Sequence, residues 1–519
     1  MAPRFKRLFG PLLAFVLIFS AAVAAAPSRA NPSNPSGKWV IVFNQPHSLP
    51  SNVDSIVGNA GGTITVRLPE IGAIGVTSTN PDFAATIAGN PHVQAVSPDI
   101  EVQMIPDVHG LGSSAGGGPV EPPGADPQPM PDNLGNQQWD KMRMNATAIG
   151  SYAVQRGRRD VVVAVLDTGA EVLPTPHVDI APNLDFARSR SFVGGVVDPN
   201  PAAWDDKNGH GSWCLSAVGA PINVVGISGV APNVTLVALK VLGDNGSGSF
   251  LWLAQALVYA GVNKFDVASM SLGGYLRHAD GFQALTKVVQ RAIDFARSNG
   301  VTPIAALGND NFDLSDGAFF RDFIEVPGEL PGVIGVSSTG YYNLKAYYSN
   351  YGSGKADVAA PGGDRRYQDP PPTYRGEGRV LGAYATEAIG TIAAPLREEE
   401  CDPGPGGSCS YYAWIQGTSM ATPNAAGVAA LIISQYGDFT PDNSQKLHMS
   451  PQAVESVLQI TANNQPCPDP NLVVYPLNTR PPGTFEGTAL CRGEAGGYTS
   501  FYGKGIVDAL KAVTEYQNH

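Results

Sequence analysis

Charged residues are scarce in this chain, and basic residues are the scarcer sign. Charged residues make up only 15% of the 519, with 33 basic against 45 acidic side chains. The resulting net charge of -12 leaves no basic stripe for a polyanion, so we expect no nucleic-acid partner. With 43% hydrophobic residues, the composition is that of a globular protein with a lightly charged surface.

Long hydrophobic runs are also missing, apart from one at the N-terminus. There, Arg4, Lys6 and Arg7 precede an apolar stretch over residues 8–25 that ends in small residues. This order predicts a secretory signal peptide over residues 1–30, with a permanent membrane anchor as the alternative. We therefore expect a secreted, extracellular protein that makes no membrane contact after the signal is removed.

Cysteines number only five, and four of them form two neighbouring pairs. Cys401 and Cys409 flank one loop rich in proline and glycine, and Cys467 and Cys491 flank another irregular segment. Two local disulfides fit an oxidising compartment, although spacing alone leaves their connectivity open. The fifth cysteine, Cys214, belongs to neither pair.

Residues 38–105 form a small predicted domain ahead of a larger one. Their elements follow the order strand-helix-strand-strand-helix-strand, which is typical of a ferredoxin-like α+β fold. The position after a signal peptide predicts a propeptide, with an ordinary accessory domain as the alternative. Residues 106–135, rich in proline and glycine, are predicted to be an extended linker open to proteolysis.

Short apolar runs alternate with amphipathic stretches over residues 136–519. The runs that suit buried parallel strands are residues 161–166, 235–242, 267–272, 302–307 and 332–337. The predicted helices are residues 210–220, 250–262, 281–298, 419–436 and 451–461. This pattern predicts a doubly wound α/β domain with a mostly parallel sheet, helices on both faces and a site at the carboxyl ends of the strands. Two long loops, residues 362–412 and 463–502, are expected to be surface insertions.

Three segments carry the candidate chemistry. Asp167 ends an apolar strand, where a carboxylate can orient a catalytic group. His210 lies between two glycines at a predicted helix start, whereas His177 and His278 lie in polar loops and are predicted to be solvated. Ser419 lies on the first turn of a long helix, whose free N–H groups can receive an oxyanion. Taken alone, this serine is equally typical of a helix cap.

The sequence Asp-Thr-Gly at residues 167–169 is also the motif of aspartic proteases. Those enzymes need two such aspartates that share a proton. The chain has no second copy, and its strand pattern is parallel α/β. We therefore exclude that class, and note that the order Asp167, His210, Ser419 is the order of the subtilisin triad.

On these motifs the chain resembles the subtilisin-like serine proteases, the subtilases of peptidase family S8, with an inhibitor-type (I9) propeptide. The matching segments are Val-Leu-Asp-Thr-Gly at residues 165–169, Asn-Gly-His-Gly at 208–211 and Gly-Thr-Ser-Met-Ala-Thr-Pro at 417–423. The resemblance implies that Ser419 is the nucleophile, His210 the general base and Asp167 the group that orients it.

The resemblance also implies how the site holds its substrate. Asn309, after Ala-Ala-Leu-Gly, would donate its amide to the oxyanion, with a turn residue as the alternative. Ser271, Leu272 and Gly273 match the strand end on which a peptide pairs as an added strand, and Gly308 lies beside it. Such main-chain pairing tolerates many side chains, so it predicts broad specificity.

One residue of the expected specificity pocket is acidic. Glu325 aligns with the segment that lines this pocket in subtilisins, where a carboxylate favours a Lys or Arg side chain. The expected end of the propeptide, near residues 102–106, has no basic residue, which argues against that preference.

A structural calcium ion is implied as well. Asp179 would supply its carboxylate, Asn223 its side-chain oxygen, and Val225 and Ile227 their carbonyls. The alternative is that Asn223 is a turn residue.

Two departures from the family pattern stand out. Asn424 replaces a histidine that is not part of the triad. Cys214 resembles the buried free cysteine of proteinase-K-like members, with a disulfide as the alternative.

We therefore expect a secreted, monomeric serine endopeptidase of broad specificity. It would act on proteins and peptides, and its own propeptide would assist folding and inhibit it until cut off. The alternatives are a processing protease of narrow specificity and a catalytically silent binding module with the subtilase fold.

Overall fold

The computed structural model describes residues 36–104, 128–277, 281–318, 320–366, 374–401, 409–439, 447–475 and 487–516. The predicted signal peptide, His278 and the first part of the predicted linker lie outside the described residues. Within the described ranges, no helix combines the length and apolar character needed to cross a membrane.

The N-terminal domain is a four-stranded antiparallel sheet with two helices. Its elements are β1 (Lys38–Phe43), α1 (Val53–Asn59), β2 (Thr63–Leu68), β3 (Ala73–Thr77), α2 (Phe83–Ala88) and β4 (Val93–Pro98). The strand order β2-β3-β1-β4 is that of the predicted ferredoxin-like unit. Its two helices pack on a separate small core that includes Trp39, Ile41 and Phe83.

The larger domain contains the remaining elements. Its strands are β5 (Glu101–Met104), β6 (Val162–Asp167), β7 (Arg190–Ser191), β8 (Thr235–Lys240), β9 (Ser247–Ser249), β10 (Val267–Met270), β11 (Leu272–Arg277), β12 (Thr302–Ala306), β13 (Phe323–Val326), β14 (Ile334–Thr339), β15 (Val358–Pro361), β16 (Val380–Tyr384), β17 (Arg397–Cys401), β18 (Cys409–Ile415), β19 (Asp438–Phe439), β20 (Leu447–His448), β21 (Leu472–Tyr475) and β22 (Gly487–Leu490). Its helices are α3 (Trp139–Arg143), α4 (Pro201–Trp204), α5 (His210–Gly219), α6 (Phe250–Val262), α7 (Gln283–Ser298), α8 (Thr418–Tyr436), α9 (Pro451–Ile460) and α10 (Ala509–Thr514).

A seven-stranded parallel sheet forms the centre of this domain, in the order β15-β14-β12-β10-β6-β8-β7. Side chains alternate along β6, so that Val163 and Val165 join the core of α5 and α8, while Val162 and Ala164 join the core of α6 and α7. Helices therefore cover both faces, as the sequence predicts. The five predicted strands and five predicted helices are all present, with ends shifted by at most two residues.

The segment predicted as a first surface insertion contributes to the core instead. Strands β16 and β18 pair, and Val380, Leu381 and Tyr412 are fully buried. The Trp213 indole on α5 donates to the Ala413 carbonyl at 3.1 Å. The apolar strands of this segment therefore extend the core around α5, and the prediction of a surface loop was wrong. The second segment also buries side chains, among them Tyr475.

The end of the predicted linker was also placed wrongly. Residues 128–135 pack against the larger domain: Asp132 is buried, and the amide of Leu134 donates to the Gly226 carbonyl at 2.8 Å. Because of these contacts, residues 128–135 are part of the larger domain and not of an extended linker. The two predicted disulfides, Cys401–Cys409 and Cys467–Cys491, are present.

Candidate active site

The candidate catalytic side chains meet at the carboxyl edge of the central sheet. Asp167 is the last residue of β6, His210 the first residue of α5 and Ser419 the second residue of α8. Gly209 precedes the histidine with φ of 96°, and a side chain there would overlap the Tyr384 ring of β16. Only glycine fits this entry to α5, because the backbone is left-handed and the space is filled.

Asp167 and His210 form a buried hydrogen-bonded pair. The Oδ1 of Asp167 lies 2.8 Å from the Nδ1 of His210 and also accepts the amide of Thr168 at 2.7 Å. Burial alone lowers the pKa of His210, but the adjacent Asp167 carboxylate and the Cys214 sulfur raise it, and the net shift is upward. The hydrogen bond therefore fixes the orientation of the imidazole ring, with its Nδ1 directed at Asp167.

Ser419 lies beside this pair and is fully buried. Its hydroxyl donates to the Ser271 carbonyl at 3.3 Å, and the Ser271 hydroxyl donates back to the Ser419 carbonyl at 2.8 Å. The Sγ of Cys214 lies 3.7 Å from the same Ser419 carbonyl and 4.0 Å from Nδ1 of His210. The Nε2 of His210 is buried with no hydrogen-bond partner within the described residues. Cys214 is free and buried, as the resemblance implies.

Asn309 is held against the start of α8 by its side-chain oxygen. The amide and the hydroxyl of Thr418 both donate to Oδ1 of Asn309 at 2.9 Å. Because Oδ1 of Asn309 already accepts these two hydrogen bonds, the Nδ2 group is the end of the side chain that faces Gly417. A Cβ added at Gly417 would lie 3.0 Å from this Nδ2. Gly308, at φ of 104°, donates its amide to the Thr418 hydroxyl at 3.2 Å. The predicted oxyanion asparagine thus presents a donor next to Ser419.

The cleft beside Ser419 contains an extended segment of the chain itself. Strand β5 is the inner strand of a sheet ordered β13-β11-β5-β9. Leu272 pairs with Met104 and Gly273 with Gln103, antiparallel, while β9 pairs along the other edge. Val102 is fully buried in the apolar cluster that contains Leu272. The predicted substrate edge therefore does pair with an extended backbone. The sequence did not reveal β5 as a strand, because a strand this short needs its two partners.

A pocket opens next to this paired segment. It has a volume of about 300 Å³, and its lining includes Gly273, Gly274, Gly308 and Glu325. Glu325 is 1% exposed, and neither of its carboxyl oxygens has a hydrogen-bond partner within the described residues. Three of the five predicted substrate-binding residues, Gly273, Gly308 and Glu325, therefore line one cavity, whereas Ser271 and Leu272 are not part of its lining.

The residues predicted to bind calcium lie close together and are hydrogen-bonded to one another. The carboxylate of Asp179 accepts Nδ2 of Asn223 at 3.0 Å, the amide of Ile227 at 2.9 Å and the hydroxyl of Tyr412 at 2.8 Å. The side-chain oxygen of Asn223 accepts the amide of Val225 at 3.0 Å. Calcium binds six to eight converging oxygen ligands, and the oxygens of Asp179 and Asn223 lie together here while accepting hydrogen bonds from the protein. The calcium site stays a prediction, and calcium plays no part in the mechanism derived below.

Two further residues differ from expectation or were not foreseen. His177 is buried, not solvated: its Nε2 lies 3.0 Å from the Tyr411 carbonyl, and burial lowers its pKa to about 4. Asn424, where the family carries histidine, accepts the Lys141 ammonium at 2.6 Å and donates to Asp140 at 3.2 Å, all three being buried. No local signal foretold either network, because the partners come from distant parts of the chain.

The fold and this edge of the sheet define an α/β serine peptidase of the subtilisin type. A family model described as the subtilase family matches residues 158–475. The M-protease of Shouchella clausii (strain KSM-K16) is 28% identical over 424 residues, covering 80% of this chain and 84% of that protein. Subtilisin Savinase of Lederbergia lenta is 33% identical over 294 residues, covering 57% of this chain and 83% of its own. The chain belongs to the subtilase family.

Solved structures share the same fold. The epidermin leader peptide processing serine protease (EpiP) of Staphylococcus aureus superposes with a TM-score of 0.65 at 20% identity, covering 93% of this chain and 99% of that one. A protease of Pseudoalteromonas arctica matches with a TM-score of 0.52 at 28% identity, covering 74% of this chain and 99% of its own.

Proposed function

We propose that this chain is a secreted serine endopeptidase in which Asp167, His210 and Ser419 act as the catalytic triad. The observation that carries the proposal is the 2.8 Å Asp167–His210 hydrogen bond next to a serine on the first turn of α8. The N-terminal signal sequence and the two disulfides support secretion.

The proposed reaction begins with attack of the Ser419 hydroxyl on the substrate carbonyl. The hydroxyl leaves the Ser271 carbonyl and gives its proton to Nε2 of His210, while Asp167 stabilises the imidazolium through Nδ1. The imidazolium then protonates the leaving amine, and water hydrolyses the acyl-enzyme by the same route in reverse. The negative oxygen of each tetrahedral intermediate would be received by Nδ2 of Asn309 and the amide of Ser419.

The N-terminal domain is proposed to inhibit the enzyme until it is removed. Strand β5, which follows this domain in the chain, lies between β9 and β11 in a sheet of the larger domain. The hydroxyl of Ser97 accepts the Ala284 amide at the start of α7, at 2.9 Å. The guanidinium of Arg291, also on α7, donates to the carbonyls of Phe43 and Ile71 at 3.0 Å each. Contacts of this kind hold an extended segment across the cleft and block substrate.

Narrow processing specificity is the second candidate. It is favoured by Tyr384 of β16, whose ring packs on Gly209 directly before His210. A strand this close to His210 would limit access to the site to flexible segments of a substrate. EpiP, whose name describes leader-peptide processing, shares the fold, and a role of that kind is proposed here only as an alternative to general proteolysis.

The test compares the full chain with Ser419→Ala. After thermolysin has cut the Pro/Gly-rich linker and phosphoramidon has stopped it, a fluorophosphonate probe and a set of fluorogenic peptides are added. The wild type should take up one probe per chain and cleave peptides, whereas the variant should do neither, with kcat lower by about 10⁶-fold. A folded wild type that neither labels nor cleaves would establish the silent binding module instead.

A further inference from the structure

The substrate pocket ends on a buried acid that is paired with no Lys or Arg of the described residues. Glu325 lies on β13 opposite Tyr275 of β11 and is 1% exposed. Both of its oxygens lack a hydrogen-bond partner within the described residues. A buried carboxyl group without partners is costly, because it has lost water and gained nothing in exchange. Its place in a substrate pocket indicates that the partner arrives with a ligand.

A neighbouring glutamate, Glu329, shows how this fold pairs a buried acid with a positive charge. Glu329 has one oxygen on the Lys355 ammonium at 2.5 Å, and its other oxygen accepts the Glu325 amide at 2.7 Å. Its side chain is as buried, at 3% exposure. The fold thus provides a cation for the glutamate outside the pocket and none for the glutamate inside it.

The walls of the pocket fit a long side chain that ends in a positive charge. Gly273 leaves room beside Glu325, because a side chain there would collide with Oε1 of Glu325. The described lining contains no Lys or Arg, and it includes two further acids, the exposed Asp310 and Glu101 of β5. Apolar walls can cover the aliphatic stem of Lys or Arg while Glu325 receives its head group.

We propose that this pocket selects Lys or Arg as the residue whose carbonyl Ser419 attacks (P1), with Glu325 as the specificity-determining residue. The inference rests on the proposed endopeptidase function and narrows the broad specificity expected from main-chain pairing. It names the substrate class as segments with a basic P1 residue.

The protonation of Glu325 supports a pH-dependent form of this selectivity. Burial, together with the nearby charge of Glu329, raises the pKa of Glu325 well above its usual range, although the backbone amides of Gly328, Glu329 and Gly274 oppose the shift. The empty pocket therefore favours the protonated carboxyl group, and a bound basic side chain favours the ionised one. Preference for Arg should thus increase as pH rises.

The same selectivity has a consequence for maturation. No Lys or Arg occurs between Arg67 and Lys141, a stretch that includes β5 and the whole predicted linker. The segment that lies in the cleft therefore brings no cation for Glu325. A protease restricted to basic P1 residues does not separate its own N-terminal domain, so that cut requires a second protease of different specificity.

The experiment measures kcat/KM for peptides that differ only at P1. The enzyme is first separated from its N-terminal domain with thermolysin, and its active sites are counted by fluorophosphonate titration. Wild type should prefer Arg over Phe, and both Glu325→Gln and Glu325→Gly should reduce this ratio by about 10–100-fold. Asp322→Asn is the matched control: Asp322 is an exposed acid directly before β13 that does not line the pocket, so the ratio should change far less. The wild-type ratio should rise with pH, and the ratio for Glu325→Gln should stay flat.

Titrated enzyme that turns over Phe and Arg peptides equally overturns the inference and leaves the endopeptidase intact. Absence of both labelling and cleavage overturns the proposed function and the inference together. The purified full chain supplies a second readout: it should stay uncut, as Ser419→Ala does. A cut within residues 68–140 made by the wild type alone contradicts the selectivity, because no bond there follows a basic residue.

Discussion

The proposed catalytic centre and the proposed specificity pocket each contain a buried acid, but the two acids differ in the partners that the chain gives them. The Oδ1 of Asp167 is hydrogen-bonded to His210 and accepts the Thr168 amide, whereas its Oδ2 has no hydrogen-bond partner within the described residues. Neither carboxyl oxygen of Glu325 has a hydrogen-bond partner within the described residues. The acid proposed to orient a catalytic group thus has its basic partner within the chain, whereas the acid proposed to recognise a charged group receives its partner from the substrate.

The largest effect is expected from a substitution that breaks the hydrogen-bonded pair of Asp167 and His210. Asp167→Asn should lower kcat by about 10⁴-fold, because the amide no longer holds the tautomer of His210 or stabilises its imidazolium. The neutral imidazole is the base, so activity falls as pH drops through the pKa of His210. Since Asp167 raises that pKa, its loss should move the acidic limb of the kcat/KM profile to lower pH.

The measurement is a pH–rate profile of both proteins, with thermal unfolding as the control for a folded variant. An acidic limb at the same pH in both would show that Asp167 does not set the protonation of His210.

A smaller effect is expected from the donor that faces the oxyanion. Asn309→Ala should lower kcat by about 10²–10³-fold with KM nearly unchanged, because the donor is used only as charge develops. Thr418→Val keeps Nδ2 and removes only the hydroxyl that orients Asn309, so its loss should be smaller. Steady-state kinetics on one peptide decide this, and equal losses in the two variants would count against a direct role for Nδ2.

The smallest expected effect concerns the N-terminal domain. Arg291→Ala removes the guanidinium that donates to Phe43 and Ile71, so the uncut chain should label with fluorophosphonate about 10-fold faster. Lys287→Ala, an exposed position on the same helix, should leave the labelling rate unchanged. Equal rates for Arg291→Ala and wild type would mean that the contact does not hold β5 in the cleft.

The sequence allowed the catalytic centre to be predicted better than its surroundings. Asp167, His210 and Ser419 are each positioned by the strand or helix in which their motif lies, so local patterns were enough to predict where they meet. His177 was misread as solvated because its partner, the Tyr411 carbonyl, comes from 234 residues away. The Tyr412 hydroxyl that donates to Asp179 likewise comes from a distant part of the chain, so the sequence did not reveal this hydrogen bond.

The core around α5 was underestimated for the same reason. Strands β16 and β18 lie in a segment rich in proline and glycine, which predicts a surface loop. Their apolar side chains are buried only because Trp213 and its neighbours on α5 accept them. Long-range packing of this kind leaves no periodic trace in the segment itself.

Mapping cleavage sites shows whether the substrate supplies the positive charge that pairs with Glu325. The enzyme freed from its N-terminal domain is incubated with an unfolded protein mixture, and the new termini are identified by mass spectrometry. Lys or Arg should precede most of the bonds that the wild type cuts, and this enrichment should disappear for Glu325→Gly. Wild-type cuts that follow apolar residues as often as basic ones would contradict this prediction.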